Sequence, residues 1–408
     1  MKILNFGSCN IDYVYSVPHI VAEGETLQAG ELSVFAGGKG LNQSVAAQRG
    51  GAAVFHAGMI GTDGEFLRQL LQRDGVDVTY LRTESGQKTG HAMIQVSEQG
   101  ENSIIVYAGT NGAVGKEYIN NVLQHFGKGD ILMLQNELSN TAYIIEQAAA
   151  RGMKVVFNPS PIKENLKQID LNNITYLLVN QGEARCLLGG EDAEQCLQAA
   201  KKYPGLRVVI TLGQRGCIYG DAEQTLYQKA FQVKTVDTTA AGDTFAGYFV
   251  AGLAAGRPLG EILNYCAAAS AIAVSQKGAA PSIPLLKEVL KKLPQLVPCQ
   301  SNKNQSELLN QIKQFILADL AGVTLSAVAA ELCQSYRTAG EQIKRLTGQS
   351  FTVFLQGIRL TKAAELLKTT TLPVAAVAAK VGYENESFFR RLFVKRYGVT
   401  PKKYRSLP

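Results

Sequence analysis

The 408 residues include 41 Lys and Arg against 34 Asp and Glu, a net charge of +7 at pH 7, and 46% of the residues are hydrophobic. A chain of this length and apolar content is long enough for two or three domains with buried cores, which indicates a globular protein and excludes a disordered one. The opening stretch MKILNFGSCNID lacks the unbroken apolar run of a signal peptide, and no later segment has the ~18 apolar residues of a membrane span. We therefore predict a cytoplasmic protein that does not enter a membrane.

Cysteine usage favours the same compartment. The seven cysteines are scattered, without any C-x-x-C spacing: Cys9, Cys186, Cys196, Cys217, Cys266, Cys299 and Cys333. This pattern is typical of buried or incidental thiols in a reducing compartment, and it argues against disulfides and structural zinc.

Through residue 293, short β-rich runs alternate with Ala-rich helical patterns. The runs KILNF, DILMLQ, KVVFN, YLLVN and RVVITLG are separated by helical stretches such as TAYIIEQAAA and QGEARCLL. This alternation predicts an α/β domain over residues 1–293, with a parallel sheet and helices on both of its faces. The runs GHAMIQV and SIIVYAG flank the turn SEQGEN outside that alternation, and they predict a β-hairpin that forms a small lid.

Polar residues near the start of the chain suit a polyhydroxylated ligand. Asn10 and Asp12 are two residues apart, so in an extended strand both side chains project from one face. The glycines of the GGKG stretch would let the backbone approach a ligand closely, and Lys39 adds a donor. The spacing of a Walker A loop is absent. Further along, NPSP, NQGE and TLGQRG each follow a predicted strand and are candidate site loops.

The stretch DTTAAGDTFAG, from Asp237 to Gly247, combines small residues with the start of a long apolar helix. Its small residues allow a tight turn whose backbone N–H groups point at one spot, and the helix dipole favours an anion there. Asp243 would repel a bound phosphate unless it acts as a general base at a transferring phosphoryl group, a role that does not require a strongly shifted pKa. The alternative is an aspartate that stabilises the free amides of the first helical turn.

Taken together and in this order, GSCNID, GGKGLNQSVAAQRGG, LQNE, NPSP, NQGEA, TLGQRG, DTTAAGDTF and KGAAPSIP resemble the ribokinase family of carbohydrate kinases over residues 1 to about 292. The resemblance implies a ribokinase-like fold and ATP-dependent phosphorylation of a pentose at its 5-hydroxyl. D-ribose is the expected substrate, and deoxyribose or another sugar is the alternative. It also implies a requirement for Mg²⁺ and K⁺, and a homodimer that forms through the lid.

The same resemblance implies roles for individual residues. The sugar hydroxyls would be held by Asn10, Asp12, Gly38, Lys39, Gly40, Asn42 and Glu137, and Asp243 would activate the primary hydroxyl. ATP would be bound by Asn180, Thr211, Gly213, Gly216 and Gly242, with Glu183 in the motif associated with magnesium. The monovalent cation would be held by Asp237, Thr239, Ala273, Gln276, Gly278 and Ser282. Ala267 departs from the family, because relatives often place a polar side chain there against the adenine.

The stretch PQLVPCQSNKNQS interrupts the periodicity with two prolines and a polar cluster, and it predicts a linker over residues 294–306. Beyond it, residues 305–408 contain 15 Lys and Arg against 7 Asp and Glu, so the excess positive charge of the chain lies in this quarter. Such asymmetry points to nucleic acid or an anionic membrane, although a basic face can also be a solubilising surface.

Two similar segments follow in this quarter. LSAVAAELCQSYRTAGEQIKRLTGQSF is echoed about fifty residues later by LPVAAVAAKVGYENESFFRRLFVKRYGVTP, and each segment predicts a short helix, a turn and a longer basic helix. This is helix-turn-helix organisation, and helical hairpins that pack only their own core are the alternative.

Residues 307–408 resemble the DNA-binding domain of AraC-type transcription regulators, with GIRLTKAAELL as the connecting helix and GVTPKKYR as the closing signature. The resemblance implies an all-α double helix-turn-helix domain that binds double-stranded DNA as a dimer. Candidate DNA contacts are Arg337 and Lys344 in the first copy and Asn385, Ser387, Arg390 and Arg391 in the second. The first copy has Gly340 and Glu341 at reading positions, which predicts poor base readout. A catalytically silent sugar sensor and a metabolic kinase with a vestigial tail are the alternative functions.

Overall fold

The computed structural model describes residues 1–98, 101–299, 305–332, 334 and 336–406, and it divides into two compact units, Met1–Cys299 and Gln300–Pro408. The strands of the first unit, in chain order, are β1 (Ile3–Phe6), β2 (Asn10–Val17), β3 (Glu31–Gly37), β4 (Val54–Gly61), β5 (Asp77–Glu84), β6 (Gly90–Ser97), β7 (Asn102–Tyr107), β8 (Ile131–Gln135), β9 (Lys154–Asn158), β10 (Tyr176–Asn180), β11 (Arg207–Thr211), β12 (Cys217–Gly220) and β13 (Thr225–Gln228). Its helices are α1 (Lys39–Arg49), α2 (Glu65–Arg73), α3 (Lys116–Leu123), α4 (Thr141–Ala150), α5 (Gln181–Leu188), α6 (Ala193–Ala200), α7 (Ala241–Ala254), α8 (Leu259–Val274) and α9 (Leu286–Lys292).

The main sheet of the first unit has nine strands in the order β13-β12-β11-β10-β9-β8-β1-β4-β5. All neighbours from β11 to β5 pair in parallel, which confirms the predicted α/β sheet. Alternate residues point to opposite faces: Ile3 and Ile131 pack with α1, α7 and α8, whereas Leu4 and Leu132 pack with α3 to α6. The antiparallel strands β12 and β13 at one edge were not part of the prediction.

A second, four-stranded sheet has the order β3-β2-β6-β7. Its β6–β7 pair is the predicted hairpin, and residues 99 and 100 of the intervening turn lie outside the described residues. The sheet also contains β2, so it carries Asn10 and Asp12 directly. The predicted small lid is therefore larger than a hairpin, and it contributes candidate ligand-binding residues.

The first unit extends into the stretch that we predicted as a linker, residues 294–306. Phe231 and Pro298 form a β-bridge, and the N–H of Cys299 donates to the carbonyl of Ala230 at 2.7 Å. The last residues before position 300 therefore pack with the first unit. Residues 300–304 lie outside the described residues, and the next helix already begins at Gln305.

The second unit is all-helical, as predicted. Its helices are α10 (Gln305–Ala318), α11 (Leu325–Glu331), α12 (Tyr336–Thr347), α13 (Phe351–Thr369), α14 (Val374–Lys380), α15 (Glu386–Tyr397) and α16 (Pro401–Ser406). The pairs α11–α12 and α14–α15 are the two predicted helix-turn-helix copies, joined by α13. Helix α10 was not predicted, and it contributes Ile312 and Ile316 to a core built around Phe389 and Phe393.

Two further expectations concern the described part of the chain only. None of its helices is both long enough and apolar enough to cross a bilayer. Its cysteines are free thiols: Cys9, Cys186, Cys196, Cys217, Cys266 and Cys299. Cys333 lies outside the described residues.

Candidate functional site

Helices α1 and α7 pack closely because small residues line their contact. A Cβ atom added to Gly247 of α7 would lie only 2.3 Å from Cβ of Ala46 and 2.6 Å from N of Ala47 in α1. A larger residue at this position would therefore force the two helices apart. The close approach brings the first turn of α7 against the first turn of α1, and it explains the glycine that ends the DTTAAGDTFAG stretch.

Asp243 lies at this contact and is held by two amide donors. Asn42 Nδ2 donates to Oδ2 and Gln43 Nε2 donates to Oδ1, both at 3.0 Å. Burial raises the pKa of Asp243, and the positive charge of Lys39 and the two amide hydrogen bonds oppose that rise. The rise follows from the position of the carboxylate, which is almost fully removed from water. Gln43 was not among the predicted site residues.

The carboxylate of Asp243 does not cap its own helix. Its oxygens accept from α1, and no side chain caps the N-terminus of α7. The first intrahelical bond of α7 runs from the N–H of Thr244 to the carbonyl of Ala240 at 2.8 Å, so the N–H groups of Gly242 and Asp243 have no partner within the helix. A Cβ atom on Gly242 would meet nothing within 4 Å. The helix end can therefore receive an anion beside Asp243.

The predicted sugar residues Asn10 and Asp12 lie on one face of β2 at the lid. Oδ1 of Asn10 accepts a hydrogen bond from Nδ2 of Asn111 at 2.7 Å, and Asn111, a buried residue, was not predicted. Burial raises the pKa of Asp12 to about 6, and the nearby negative charge of Glu137 adds to the rise. In such surroundings a hydrogen bond donated by a ligand hydroxyl would stabilise the ionised form of the carboxylate.

Glu137 connects the end of β8 to the start of α1. Its Oε2 accepts from the backbone N–H of Lys39 at 3.1 Å and from the hydroxyl of Ser8. The hydroxyl of Ser8 also accepts from the N–H of Gly40 at 3.2 Å. The loops after β1 and β8 and the GGKG stretch thus form one polar cluster, in which Ser8 is a member that we did not predict.

The glycines of the GGKG stretch serve the packing of the protein itself. A Cβ atom on Gly40 would lie 2.2 Å from N of Ser8, and one on Gly37 would lie 2.1 Å from Oδ2 of Asp12. Gly38 adopts φ +94°, where side chains are strained. The atoms that these glycines admit belong to β2 and to the loop before it, and their contact with a ligand stays a prediction.

The predicted nucleotide residues lie at the carboxyl ends of neighbouring strands. Asn180 and Thr211 are register partners at the ends of β10 and β11. Asn180 and Glu183 form a capping box at the start of α5, with Oδ1 of Asn180 accepting from the N–H of Glu183 at 2.9 Å and Oε2 of Glu183 accepting from the N–H of Asn180 at 3.0 Å. These hydrogen bonds to the backbone explain why Asn and Glu stand at the two positions. Nδ2 of Asn180 and Oε1 of Glu183 are left available to a ligand.

Two glycines shape the loop that follows β11. Gly213 and Gly216 have φ values of +61° and +99°, in the left-handed region that favours glycine. A Cβ atom on Gly216 would lie 1.9 Å from the carbonyl oxygen of Gln228 in β13, so this glycine is required by the edge of the sheet, whereas nothing approaches Gly213 within 4 Å. Ala267, at the position where relatives often have a polar residue, is buried in α8.

The predicted cation residues fall on two loops that Asp237 joins. Oδ1 of Asp237 accepts from the N–H of Thr239 at 2.9 Å, and Oδ2 accepts from the N–H of Gly278 at 2.9 Å. Burial acts against ionisation, but a hydrogen bond from the hydroxyl of Thr239 and these two backbone hydrogen bonds outweigh it and lower the pKa of Asp237. The carbonyl of Ala273 accepts from the N–H of Gln276 at 3.0 Å. Ser282 follows in a short 3-10 turn, where its hydroxyl donates to the carbonyl of Ala279 at 2.8 Å.

In the second unit, the candidate DNA contacts lie on the exposed sides of α12 and α15. In α12, Arg337 pairs with Glu341 at 3.1 Å, and Lys344 is exposed. The second copy has an ion pair of the same spacing, so the weaker base readout expected of the first copy stays a prediction.

In α15, Arg390 pairs with Glu386 and Ser387 is exposed. The guanidinium of Arg391 lies 5.5 Å from the ring centre of Phe388, an exposed residue that we did not predict. Oδ1 of Asn385 accepts from the N–H of Phe388 at 2.9 Å as the N-cap of α15, and the amide nitrogen of Asn385 remains as a donor for a base edge.

Comparison with known proteins gives matches to both units. The model of the pfkB family of carbohydrate kinases matches residues 1–286, and that of a helix-turn-helix domain matches residues 328–406. A ribokinase of Haemophilus influenzae is 37% identical over 296 residues, which cover 70% of this chain and 96% of that protein.

Solved structures give the same result for the first unit. A ribokinase of Arabidopsis thaliana complexed with ribose and ATP matches with a TM-score of 0.65 and 29% identity, over 72% of this chain and 98% of that one. A ribokinase of Cryptococcus neoformans in complex with ADP matches with a TM-score of 0.63 and 33% identity, over 71% of this chain and 99% of that one.

Proposed function

Since the chain belongs to the pfkB family of carbohydrate kinases, we propose that its first unit transfers the γ-phosphoryl group of ATP to the 5-hydroxyl of D-ribose. The observation that carries this proposal is the buried carboxylate of Asp243, held by Asn42 and Gln43 beside the free N–H groups of α7. A base next to an anion-binding helix end is the arrangement that phosphoryl transfer to a hydroxyl requires.

The chain's own residues divide the work between orientation and charge. Asn10, Asp12 and Glu137 present acceptors to the sugar hydroxyls, and Asp243 accepts the proton of the hydroxyl that attacks. The N–H groups at the start of α7 stabilise the charge that develops on the transferred phosphoryl oxygens. Burial of Asp243 excludes water that would otherwise compete with the sugar hydroxyl for the phosphoryl group.

Mg²⁺ would be held mainly by the phosphates of ATP. The described residues contain no cluster of three or more His, Cys, Asp or Glu side chains suited to a metal ion. In phosphoryl transfer Mg²⁺ is commonly bound by substrate phosphates and few protein carboxylates, and Glu183 is the carboxylate that we assign nearby. Bound to the phosphates, Mg²⁺ neutralises their charge.

The substrate is tested by ADP release with a panel of sugars. We expect the highest kcat/KM with D-ribose, and lower values with 2-deoxyribose, arabinose and hexoses. A preference for 2-deoxyribose would replace ribose as the substrate and leave the reaction unchanged. No ADP release above the sugar-free rate with any sugar would instead favour a catalytically silent sugar sensor.

Potassium should activate the first unit through Asp237. This residue ties the loop before α7 to the loop at Gly278, and its lowered pKa keeps a negative charge where a cation would sit. We expect ADP release by the wild type to be faster in potassium chloride than in choline chloride of equal ionic strength, and Asp237→Ala to lose that difference. Equal wild-type rates in the two salts would remove the cation site.

We also propose a homodimer that forms through the lid. One row across β3, β2, β6 and β7, on the face opposite Asp12, consists of Val34, Tyr13, Met93 and Ile105. Val34, Met93 and Ile105 each expose 44% or more of their surface. A contiguous apolar row of this kind is a liability in a monomer and typical of an interface. A second copy of the same lid, which presents the same row, would cover it.

The second unit would bind double-stranded DNA and make the chain a sugar-responsive transcription regulator. The fusion of the two units and the exposed basic residues of α12 and α15 support this proposal. If lid closure over the sugar changes the spacing of two second units in a dimer, the affinity for paired half-sites depends on sugar occupancy.

This coupling has a direct test in Asp243→Asn, a variant that should bind sugar without consuming it. We expect its affinity for a DNA site selected in vitro to change about 5- to 150-fold when ribose and a non-hydrolysable ATP analogue are added together. The site should change the ribose affinity by the same factor, since linkage is reciprocal. Identical DNA affinities with neither, either and both ligands would show that the two activities are independent.

A further inference from the structure

A chain of buried amides runs beneath α1 and ends at Asp243. Asn5 of β1 and Gln135 of β8 project from neighbouring strands towards α1, where Gln43 completes the chain. Each of the three side chains is at most 1% exposed, and Nδ2 of Asn5 also donates to the hydroxyl of Ser44 at 2.7 Å. Burying three amides is unfavourable unless their hydrogen bonds are made. Their presence here therefore suggests that the hydrogen bonds between them have a function.

The orientation of each amide in the chain follows from the previous one. The carbonyl of Gly40 can only accept, so Asn5 must present Nδ2 to it, at 2.6 Å, and Oδ1 to Gln135. Gln135 must then turn Nε2 towards Asn5, at 3.0 Å, and the same Nε2 donates to Oε1 of Gln43 at 2.7 Å. With Oε1 occupied, Gln43 can present only its Nε2 to Asp243.

Two further observations agree with this direction. Oε1 of Gln135 is buried without a hydrogen-bond partner, which is unfavourable. The side chain nevertheless keeps the orientation that places its Nε2 between two acceptors. Asn158 donates through Nδ2 to the carbonyl of Leu178 at 2.8 Å, which leaves its Oδ1 facing Nε2 of Gln43 at 3.3 Å. Gln135 of β8 and Asn158 of β9 therefore both favour the same orientation of the Gln43 amide, with Nε2 towards Asp243.

We propose that Gln135 is a positioning residue, which fixes the amide of Gln43 so that Asp243 receives a hydrogen-bond donor and never an acceptor. This inference rests on the proposed function, because the orientation matters only if Asp243 acts as a base. A donor stabilises the ionised carboxylate against its burial, whereas a rotated Gln43 would place an oxygen against it. The charged groups that face Asp243 are Lys39, which favours ionisation, and Glu137, which opposes it.

The test measures the acid limb of the pH profile of kcat in Gln43→Met and Gln135→Met. Loss of one hydrogen bond to a charged group should move the limb of Gln43→Met upward by about one to two pH units. Gln135→Met should move it in the same direction by less, because Asn158 still faces Gln43. KM for the sugar should change little, since neither side chain is assigned to the sugar. Asn165→Ala is the matched control: it removes a partly buried amide pair with Asn136 that does not reach Asp243, and its acid limb should match the wild type.

A readout that does not need turnover separates this inference from the proposed function. The pKa of Asp243 is followed by ¹³C NMR of protein labelled at the aspartate carboxyl groups and assigned with Asp243→Asn. A raised pKa of Asp243 in Gln135→Met supports the positioning role of Gln135 even if the wild type shows no kinase activity. A folded Gln135→Met, verified by thermal unfolding, that keeps the wild-type pKa of Asp243 would overturn it, as would a loss of kcat that is equal at every pH.

Discussion

Replacing Asp243 by Asn should lower kcat about 100- to 10,000-fold, the usual contribution of a general base, while ribose still binds. The variant removes the proton acceptor and keeps the size of the side chain. Its new amide group meets two donors, but Oδ1 of Asn42 is buried without a partner, so Asn42 can turn and accept from it. The fold around α1 and α7 should therefore tolerate the change.

The measurement combines ADP release with isothermal titration of ribose. Asp192→Asn is the matched control, because Asp192 caps α6 through Oδ1 and asparagine caps helices equally well. That control should keep both the rate and the affinity of the wild type. Turnover by Asp243→Asn close to the wild-type rate would show that another group accepts the proton.

Replacing Arg391 by Ala should weaken binding to a selected DNA site about 5- to 150-fold, which corresponds to the 1–3 kcal/mol of a bidentate contact to guanine. The guanidinium lies beside the exposed ring of Phe388 on α15, so it is held in place at the surface of the recognition helix. Binding to scrambled DNA should change much less, because a residue that reads a base contributes little to non-specific affinity.

Two comparisons make this result specific. Lys362→Ala removes a basic residue that pairs with Glu365 and belongs to α13, not to either recognition helix, and it should leave the selected site bound as before. The affinity of the wild type should fall steeply as salt rises. Equal weakening on selected and scrambled DNA would assign Arg391 to a phosphate, and binding that is indifferent to salt would argue against DNA as the ligand.

The main sheet and the site loops could be predicted from the sequence because they follow local rules. Apolar runs alternate with helical patterns, and the carboxyl ends of parallel strands must meet at one edge, so Asn180 and Thr211 could be expected near each other. The edge strands β12 and β13 could not be predicted in the same way. They are four residues each, and they pair antiparallel in an otherwise parallel sheet.

The amide chain beneath α1 is the part of the candidate site that the sequence did not reveal. Gln43 and Asp243 are 200 positions apart, and only the contact of α1 with α7 brings them together. Asn5 and Gln135 stand in apolar strands, where a single polar residue suggests an exposed position. Such residues become informative only when their partners are known, because a buried amide is explained by what it bonds.

In the second unit, too, some elements could be predicted from the sequence and others could not. Its two repeated segments predicted the paired helices, and the spacing of Arg337 and Glu341 is one at which helical ion pairs form. Helix α10 belongs to neither repeat, so the repeat pattern could not predict it. Phe388 was missed because an aromatic residue beside Phe389 suggests core, whereas the helix turns one ring inward and leaves the other exposed.

Phosphoryl transfer to the primary hydroxyl of ribose is tested most directly by identifying the product. Wild-type protein is incubated with ATP and Mg²⁺ and either D-ribose or 5-deoxyribose, which lacks that hydroxyl, and the products are examined by ³¹P NMR and mass spectrometry. We expect D-ribose 5-phosphate from ribose and no sugar phosphate from 5-deoxyribose. Phosphate on another hydroxyl, or the absence of any sugar phosphate from ribose, would contradict the reaction proposed here for Asp243 and the N-terminus of α7.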